Sequence, residues 1–341
     1  MSVQNAVGAA ETQWSVGFRR VLVCLDRSET AEAVLPLATH LAQMDGGRMT
    51  LLHVLEALPD AAEVRATDAL EWDIVRQEAD SYLERLAKRA AGLGVTADTQ
   101  IAEGSAAHGV AALAAELEAD LVVLSTYGEG GMDAWTLGST ARKILALARG
   151  AVLVVPAGTE EPATHVPPRR VLVPLDGSLR GESVLPTLLH LARADDAEVV
   201  IAHAVADPIR TEVLSTPDDL ALARELADHV AVRADAYLER IRSQLAASGV
   251  RARTVVFRAA DYREGIIALV AAERVDLVVV SAHGSLCNPR RRFGSVTSYL
   301  IAHSTAPVLV IQDLPDSARR TVTATRLRPP SRSSDASLGD A

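Results

Sequence analysis

Short runs of branched apolar residues alternate along this chain with longer stretches in which apolar residues recur at helical spacing. This alternation is typical of βαβ units, in which helices connect the strands of a parallel sheet. The predicted strands are Arg20 to Leu25, Met49 to Leu55, Val95 to Ala102, Leu121 to Ser125, Val152 to Val155, Val171 to Leu175, Glu198 to Val205, Arg253 to Arg258, Leu277 to Ser281 and Val308 to Ile311. The pattern therefore predicts an α/β fold with helices on both faces of a parallel sheet.

The predicted strands fall into two sets because the sequence repeats itself. The segment RRVLVCLDRS from Arg19 aligns without a gap with RRVLVPLDGS from Arg169, and ADLVVLSTYG from Ala119 aligns with VDLVVVSAHG from Val275. Matching segments in the same order indicate a tandem duplication. Each copy has five predicted strands, enough for one doubly wound, Rossmann-like domain.

Polar segments set the predicted limits of the two domains. The prediction is a disordered N-terminal tail at 1–17, a first domain at 18–157, a linker at 158–168, a second domain at 169–313 and a disordered C-terminal tail at 314–341. The linker is rich in Pro, Thr and Glu, and the C-terminal tail is rich in Arg, Ser and Pro. These segments lack the apolar periodicity from which a core could be built.

Each copy also contains one long helix, predicted at Asp68 to Leu93 and at Pro217 to Ser248. Both helices carry a related segment, DSYLERL or DAYLERI, in which Tyr and Leu recur at helical spacing. We expect these residues to pack against the sheet as core. The predicted helix-end signals are the N-caps Ser28 and Ser178 and the C-terminal glycines Gly94 and Gly249.

Composition narrows the class of protein. Aromatic residues supply only 3% of the chain, so the core must be built from Val, Leu, Ile and Ala. A formal net charge of -10 argues against a nucleic-acid partner, because that affinity comes from clustered Lys and Arg. No signal peptide or membrane span is recognisable, and Cys24 and Cys287 are too few for a disulfide framework. We therefore expect a soluble cytoplasmic protein with no membrane partner.

The loop after the fourth strand of each copy carries the clearest candidate chemistry. Both loops read Ser, two residues, Gly, nine residues, Gly, Ser, starting at Ser125 and at Ser281. Glycines let the backbone approach a ligand, and a helix N-terminus offers free N–H groups to phosphate oxygens. The candidate phosphate-binding residues are Gly128, Gly138, Ser139 and Thr140 in the first copy and Gly284, Gly294, Ser295 and Thr297 in the second.

These features also have a purely structural interpretation. Ser139 and Ser295 would then be ordinary N-caps, and duplication alone would preserve the spacing of the glycines. Asp26 and Asp176, which end the first strand of each copy, either accept hydrogen bonds from a ribose or cap the following helix. The residues by themselves leave both interpretations open.

The two copies differ around this loop. The differing residues are Tyr127, Glu129 and Asp133 in the first copy and His283 and Arg290 to Arg292 in the second. We expect the basic second copy to attract phosphates more strongly, with His283 placed to contact a ligand. His53 and His203, inside the second strands, are predicted to be hydrogen-bonded structural residues. The lysine of a P-loop is missing from both copies, which argues against efficient nucleotide hydrolysis.

Taken together, these segments resemble the universal stress protein family in its tandem, ATP-binding form. The family signature is Gly, two residues, Gly, nine residues, Gly and then Ser or Thr, and this chain has Ser125 and Ser281 in place of the first Gly. The resemblance implies a five-stranded parallel sheet of order 3-2-1-4-5 in each domain. It implies an adenine nucleotide site lined by Cys24, Asp26, Val54, Ser125, Gly128, Gly138, Ser139 and Thr140, and a second lined by Pro174, Asp176, Ala204, Ser281, Gly284, Gly294, Ser295, Val296 and Thr297.

The resemblance also implies how the copies associate and what they do. Members pair through their fifth strands, so Val152 to Val155 and Val308 to Ile311 are expected to meet within one chain, which leaves open a further homodimer and an unknown protein partner. The implied function is ATP binding, with or without Mg²⁺, in stress response or signalling and with little turnover. The alternatives are a slow ATPase and a nucleotide-free, partner-binding module with relic loops.

Overall fold

A computed structural model describes residues 17–56, 69–126, 137–148, 150–157, 166–207, 216–285 and 292–312. The strands are β1 (Arg20–Leu25), β2 (Arg48–Leu55), β3 (Ala97–Glu103), β4 (Leu121–Ser125), β5 (Ala151–Val155), β6 (Arg170–Pro174), β7 (Glu198–Ala206), β8 (Ala252–Ala259), β9 (Leu277–Ser281) and β10 (Val308–Ile311). The helices are α1 (Glu29–Glu32), α2 (Leu35–Met44), α3 (Ala69–Gly92), α4 (Ala106–Glu116), α5 (Ser139–Leu147), α6 (Leu185–Ala194), α7 (Pro217–Ala247), α8 (Tyr262–Ala272) and α9 (Ser295–His303), with a 3₁₀ turn at Gly181–Val184.

All ten strands belong to one sheet, in the order β3-β2-β1-β4-β5-β10-β9-β6-β7-β8. The first five strands form domain 1 and the last five form domain 2, and within each domain the strands are parallel in the order 3-2-1-4-5. The predicted fold class and strand order are therefore confirmed. In domain 1, β1 lies between β2 and β4, and the chain continues to one side of β1 first and to the other side later. Such a reversal of strand order leaves a crevice at the carboxyl ends of the central strands, and domain 2 has the same arrangement.

The two domains join through their fifth strands. β5 and β10 run antiparallel, with Val308 opposite Val154 and Val310 opposite Val152. Pairing these strands removes two sheet edges that would otherwise expose unpaired backbone N–H and C=O groups. The predicted association of the two copies within one chain is confirmed.

The core lies on both faces of this sheet. Alternate residues of β1 point to opposite sides, with Val21 and Val23 in one apolar cluster and Leu22 in the other. Both clusters contain residues from both domains, so each face is covered across the β5–β10 pairing. Strands buried on both faces need apolar side chains at every position, which explains why they appear in the sequence as continuous Val and Leu runs.

The long helices agree with their sequence signals. Gly94 and Gly249 adopt φ values of +92° and +80° after α3 and α7, a conformation that glycine tolerates without strain. Tyr82 is 9% exposed and packs in the core, as predicted. Ser28 caps α1 by accepting a hydrogen bond from the Ala31 N–H.

Two predicted boundaries were wrong. The third strand begins at Ala97 instead of Val95, because the Val95 N–H bonds back to Ala90 at the end of α3. Ser178 accepts a hydrogen bond from the Gly181 N–H, but this turn leads into the 3₁₀ segment, and the α-helix α6 begins only at Leu185. The predicted tails lie outside the described residues except for Gly17, and of the linker only 166–168 are described.

A reciprocal pair of contacts joins α2 and α6 across the domain boundary. His40 Nε2 lies 2.9 Å from Asp195 Oδ1, and His190 Nε2 lies 2.8 Å from Asp45 Oδ1. The four residues occupy matching positions of the two copies, so the contacts are related by the internal symmetry. Sequence reasoning did not predict them, since neither pair is close in sequence. No described helix is both long and apolar enough to cross a membrane.

Candidate functional site

A cleft of about 590 Å³ lies in domain 1 at the carboxyl ends of β1, β2 and β4. This volume is within the range of small-molecule sites. The start of α5 and one side of α3 complete its walls. Predicted site residues that line it are Cys24, Asp26, Val54, Ser125, Gly138, Ser139 and Thr140. Seven residues distant in sequence are thus brought together, whereas Gly128 lies outside the described residues.

At the end of the cleft formed by the start of α5, backbone N–H groups are available as hydrogen-bond donors. The Gly138 N–H donates to Thr126 O at 3.0 Å, and a β-carbon at Gly138 would lie 3.2 Å from the same oxygen. The helix has no side-chain N-cap, and its first intrahelical bond to Gly138 O comes from Arg142. The N–H groups of the first turn, at Ser139, Thr140 and Ala141, therefore have no acceptor within the helix. The positive end of the helix dipole makes this position favourable for an anion.

Asp26 makes a structural contact with Ser28 and also faces the cleft. Its Oδ1 accepts hydrogen bonds from the Ser28 hydroxyl at 2.6 Å and from the Ser28 N–H at 3.1 Å. These bonds hold the turn that starts α1, because Ser28 is itself the N-cap of that helix. The Asp26 side chain also lines the cleft. Its structural and binding interpretations are compatible in one geometry.

Beside Asp26, the floor of the cleft is formed by the ends of β1 and β2. Burial raises the pKa of the Cys24 thiol to about 12, so this side chain is a protonated, weakly nucleophilic group at neutral pH. His53 Nδ1 lies 2.9 Å from Leu25 O, and since a carbonyl only accepts, Nδ1 is the donor. The bond ties the end of β2 to that of β1. The prediction of a structural, hydrogen-bonded histidine is confirmed here and at His203, which makes the same bond to Leu175 O at 2.7 Å.

One cleft residue was missed by sequence reasoning. Trp72 of α3 lines the cleft, and an indole ring offers a flat apolar surface for stacking. The matching residue of domain 2 is Ala227, which precedes Tyr237 by the same number of residues as Trp72 precedes Tyr82. The repeat alignment shows that the two copies differ at this position, but it does not show that the residue faces the cleft.

In domain 2 the loop after β9 folds back onto the matching aspartate. The Ser285 N–H donates to Asp176 Oδ2 at 2.6 Å, while the Ser178 hydroxyl donates to Oδ1 at 2.6 Å. Burial by itself would raise the pKa of Asp176, but the hydrogen bonds from Ser178 and Ser285 outweigh it and the pKa lies below its ordinary value. A β-carbon at Gly284 would overlap this carboxylate, so the close approach requires glycine.

Two hydroxyls predicted to line the second site are used inside the loop. Thr297 Oγ1 donates to Ser281 O at 2.8 Å, and the Ser281 hydroxyl donates to His283 O at 2.7 Å. All three residues are buried, and His283 is 2% exposed. This burial does not favour our expectation that the His283 side chain contacts a ligand, which stays a prediction. Arg292 is half-buried, whereas Arg290 and Arg291 lie outside the described residues.

The remaining predicted residues of the second copy keep the arrangement of the first. Pro174 ends β6, Ala204 lies in β7, and both are half-buried. The Gly294 N–H donates to Ala282 O at 2.7 Å, and α9 begins at Ser295 without a side-chain N-cap. Ser295 and Val296 thus lie in the first turn of α9, just as Ser139 and Thr140 lie in the first turn of α5.

Comparison with known proteins bears on this geometry. A family model described as the universal stress protein family matches residues 17–156 and matches again at residues 168–312. The two matches account for most of the chain. This chain belongs to the universal stress protein family.

Relatives within the family share one or both domains. A universal stress protein of Mycolicibacterium smegmatis is 26% identical over 305 residues, which are 86% of this chain and 96% of that protein. Universal stress protein YxiE of Bacillus subtilis is 30% identical over 147 residues, 40% of this chain and 99% of its own length. A universal stress protein structure from Archaeoglobus fulgidus matches at a TM-score of 0.60 and 17% identity, covering 87% of this chain and 99% of that one. The tandem universal stress protein fold is thus shared by known proteins.

Proposed function

We propose that this universal stress protein binds an adenine nucleotide, ATP, in the cleft of domain 1. The observation that carries the proposal is the position of the uncapped start of α5 in a cleft that also contains Asp26 and Trp72. These groups offer an anion site, a hydrogen-bond acceptor and an aromatic surface. A nucleotide presents a phosphate chain, ribose hydroxyls and a flat base in the same combination.

The phosphates would bind at the start of α5. The first-turn N–H groups of Ser139, Thr140 and Ala141 supply donors, and the Ser139 and Thr140 hydroxyls add two more. Because Gly138 has no side chain, a phosphate can approach the backbone at this position. Any accompanying Mg²⁺ would take phosphate oxygens and water as ligands, as this ion usually does.

The ribose and base would occupy the other half of the cleft. Asp26 accepts hydrogen bonds from ribose hydroxyls, and Cys24 contributes an uncharged floor because its thiol is protonated. The backbone of Val54 at the end of β2 supplies edge contacts to adenine, and Trp72 stacks on the ring. Stacking of a base on an aromatic side chain contributes about 1–3 kcal/mol.

Domain 2 is proposed as the weaker site. Pro174, Asp176, Ala204, Gly284, Gly294, Ser295 and Val296 keep the matching positions, with Ser281 and Thr297 supporting the loop. The Ser285 N–H already donates to Oδ2 of Asp176, so a ribose would share this carboxylate with the loop. Ala227 provides no stacking surface where domain 1 has Trp72. The missing aromatic surface argues against our sequence-based expectation that the second copy is the stronger binder.

We further propose that the protein retains its nucleotide with little turnover and acts in stress response or signalling. Efficient hydrolysis needs a group that positions or deprotonates water at the terminal phosphate. Among the described residues of the cleft, His53 is the histidine, and its Nδ1 is committed to Leu25 O. A slow ATPase would show itself as phosphate release that exceeds one equivalent per chain.

The experiment is a nucleotide inventory followed by titration. Purified protein is denatured and the supernatant is chromatographed against nucleotide standards, and protein freed of nucleotide is then titrated with ATP by calorimetry. We expect adenine nucleotide in the supernatant and one tight site per chain. If neither experiment detects adenine nucleotide, the proposal fails, and the nucleotide-free partner-binding module becomes the better interpretation.

A further inference from the structure

The two copies also diverge at the opposite edge of the sheet, where the amino ends of the strands lie. In domain 1, Arg20 at the start of β1 pairs with Glu118 at 2.8 Å and with Asp120 at 3.1 Å. Glu118 follows α4 with a φ of 48°, and the matching residue of domain 2, Arg274, follows α8 with a φ of 49°. The backbone is the same in both copies, so the difference is one of side-chain charge: an acid in domain 1 and a base in domain 2.

A cavity of about 460 Å³ lies beside Arg274. Its charged lining residues are Arg169, Arg170, Arg274 and Asp276, and the other lining residues are apolar except for Thr305. The volume is within the range of sites for small molecules. Three basic residues against one acidic residue give this cavity a positively charged lining, although the protein has a formal net charge of -10.

The positive charges of this cavity are not all neutralised by neighbours. Asp276 is 4% exposed, and its Oδ2 accepts the N–H groups of Arg169 and Arg170 at 2.9 Å each. The Arg170 guanidinium donates to Glu198 at 3.0 Å. The guanidinium groups of Arg169 and Arg274 make no hydrogen bond or ion pair with any residue that the structure describes. Two cationic groups with free donors thus line one cavity.

The geometry points to an anion-binding site in this cavity, with Arg169 and Arg274 as ligands for the phosphate group of a small phosphorylated metabolite. A guanidinium offers paired N–H donors that match the oxygens of a phosphate. The Thr305 hydroxyl adds a donor, and Val270 and Val275 supply apolar surface for the rest of the molecule. In domain 1 the position of Arg274 is held by Glu118, which pairs with Arg20 instead of adding a second cation. This site lies at the amino ends of the strands of domain 2, whereas the proposed nucleotide cleft lies at the carboxyl ends of the strands of domain 1. Anion binding here therefore does not require nucleotide binding there.

A charge-reversal variant tests the site. Inorganic pyrophosphate is titrated into the full-length protein by calorimetry, and Arg274→Glu is expected to weaken one binding event at least tenfold while leaving any binding at the start of α5 unchanged. This variant should fold, since Glu118 occupies the matched position with the same backbone conformation. The control is Arg224→Glu on the exposed side of α7, which makes the same change in net charge and should alter the affinity less than twofold.

Chemical modification locates the bound anion independently. Phenylglyoxal modifies accessible arginines, and pyrophosphate should slow the modification of Arg169 and Arg274 at least fivefold in peptide mass spectra, while Arg224 remains unprotected. Equal weakening of binding by Arg274→Glu and Arg224→Glu would overturn the site, as would unprotected Arg169 and Arg274. Absence of any pyrophosphate binding by the wild-type protein would overturn it as well. None of these readouts requires ATP to bind in domain 1.

Discussion

In domain 1 Asp26 lines a cleft at the carboxyl ends of the strands, and in domain 2 the Ser285 N–H of the loop after β9 donates to the matching Asp176. The two halves of the sheet share their strand order, have matched strands that differ in length by at most one residue, and both have a histidine that bonds the second strand to the first. The two copies teach that duplication preserves what the core requires. A buried parallel strand tolerates little besides apolar residues, whereas loop positions such as that of Ser285 can change in sequence without disturbing the core.

The largest effect that separates the domains should come from a carboxylate at the start of α5. Ser139→Asp places a negative charge beside the proposed phosphates, and two like charges about 4 Å apart repel by about 4 kcal/mol at an effective dielectric constant of 20. We expect at least a hundredfold weaker ATP binding by calorimetry. The substitution should not unfold the helix, because an acidic residue in the first turn is favourable.

The matched control is Ser295→Asp at the same position of α9. It should leave the tight site intact, since that site is proposed for domain 1. A greater loss of affinity in Ser295→Asp than in Ser139→Asp would reverse our assignment of the stronger domain.

The reciprocal histidines test whether the scaffold is as symmetric as its contacts suggest. His40→Ala leaves Asp195 with a side chain 6% exposed and no other partner among the described residues, whereas Asp45 keeps the Phe18 N–H after His190→Ala. Leaving a buried charge unpaired costs more than losing one hydrogen bond. We expect destabilisation of about 3 kcal/mol for His40→Ala and about 1 kcal/mol for His190→Ala, measured by urea unfolding at pH 7. Equal losses would show that the Phe18 contact does not stabilise Asp45.

A third test concerns the proposed stacking surface, which Trp72 provides in domain 1 and which Ala227 does not provide in domain 2. Trp72→Ala removes the proposed stacking surface and should weaken ATP binding about tenfold, in line with about 1–3 kcal/mol for one stacked base. The converse variant, Ala227→Trp, adds a ring to domain 2 and serves as the comparison. Titration of both variants measures the effect, and an unchanged affinity in Trp72→Ala would remove this residue from the site.

The smallest effect concerns the pH dependence of the closed loop. Because the pKa of Asp176 is lowered in the folded protein, its ionised form stabilises the fold above the pKa of an unfolded-chain aspartate, about 3.9, and this stabilisation disappears as the pH falls through the lower folded value. Asp176→Asn should therefore lower the urea midpoint slightly at pH 7, and the difference should shrink below about pH 4. The side chain is partly exposed, so we expect less than about 1 kcal/mol. A difference that grows on acidification would contradict the proposed origin.

Much of the fold was predictable because its signals are local. The Val-rich β4 and β9 follow from burial on both faces, and the glycines after α3 and α7 follow from a φ that only glycine adopts readily. The candidate site was predicted through residues that follow strands, and Asp26, Gly138 and Ser139 indeed meet in one cleft. Trp72 escaped because a residue on a long helix gives no sign of which strand end it faces.

What the sequence by itself determined is therefore the repeat, the strands and the loops that start α5 and α9. Only the tertiary structure decided how the duplicated parts are used: Ser285 bonds to Asp176, Thr297 of α9 bonds to the end of β9, and His40 and His190 bond across the domain boundary. The physical reason is range. Apolar periodicity and backbone preferences act over a few residues, whereas these hydrogen bonds join atoms whose distance is set by the packing of the whole sheet.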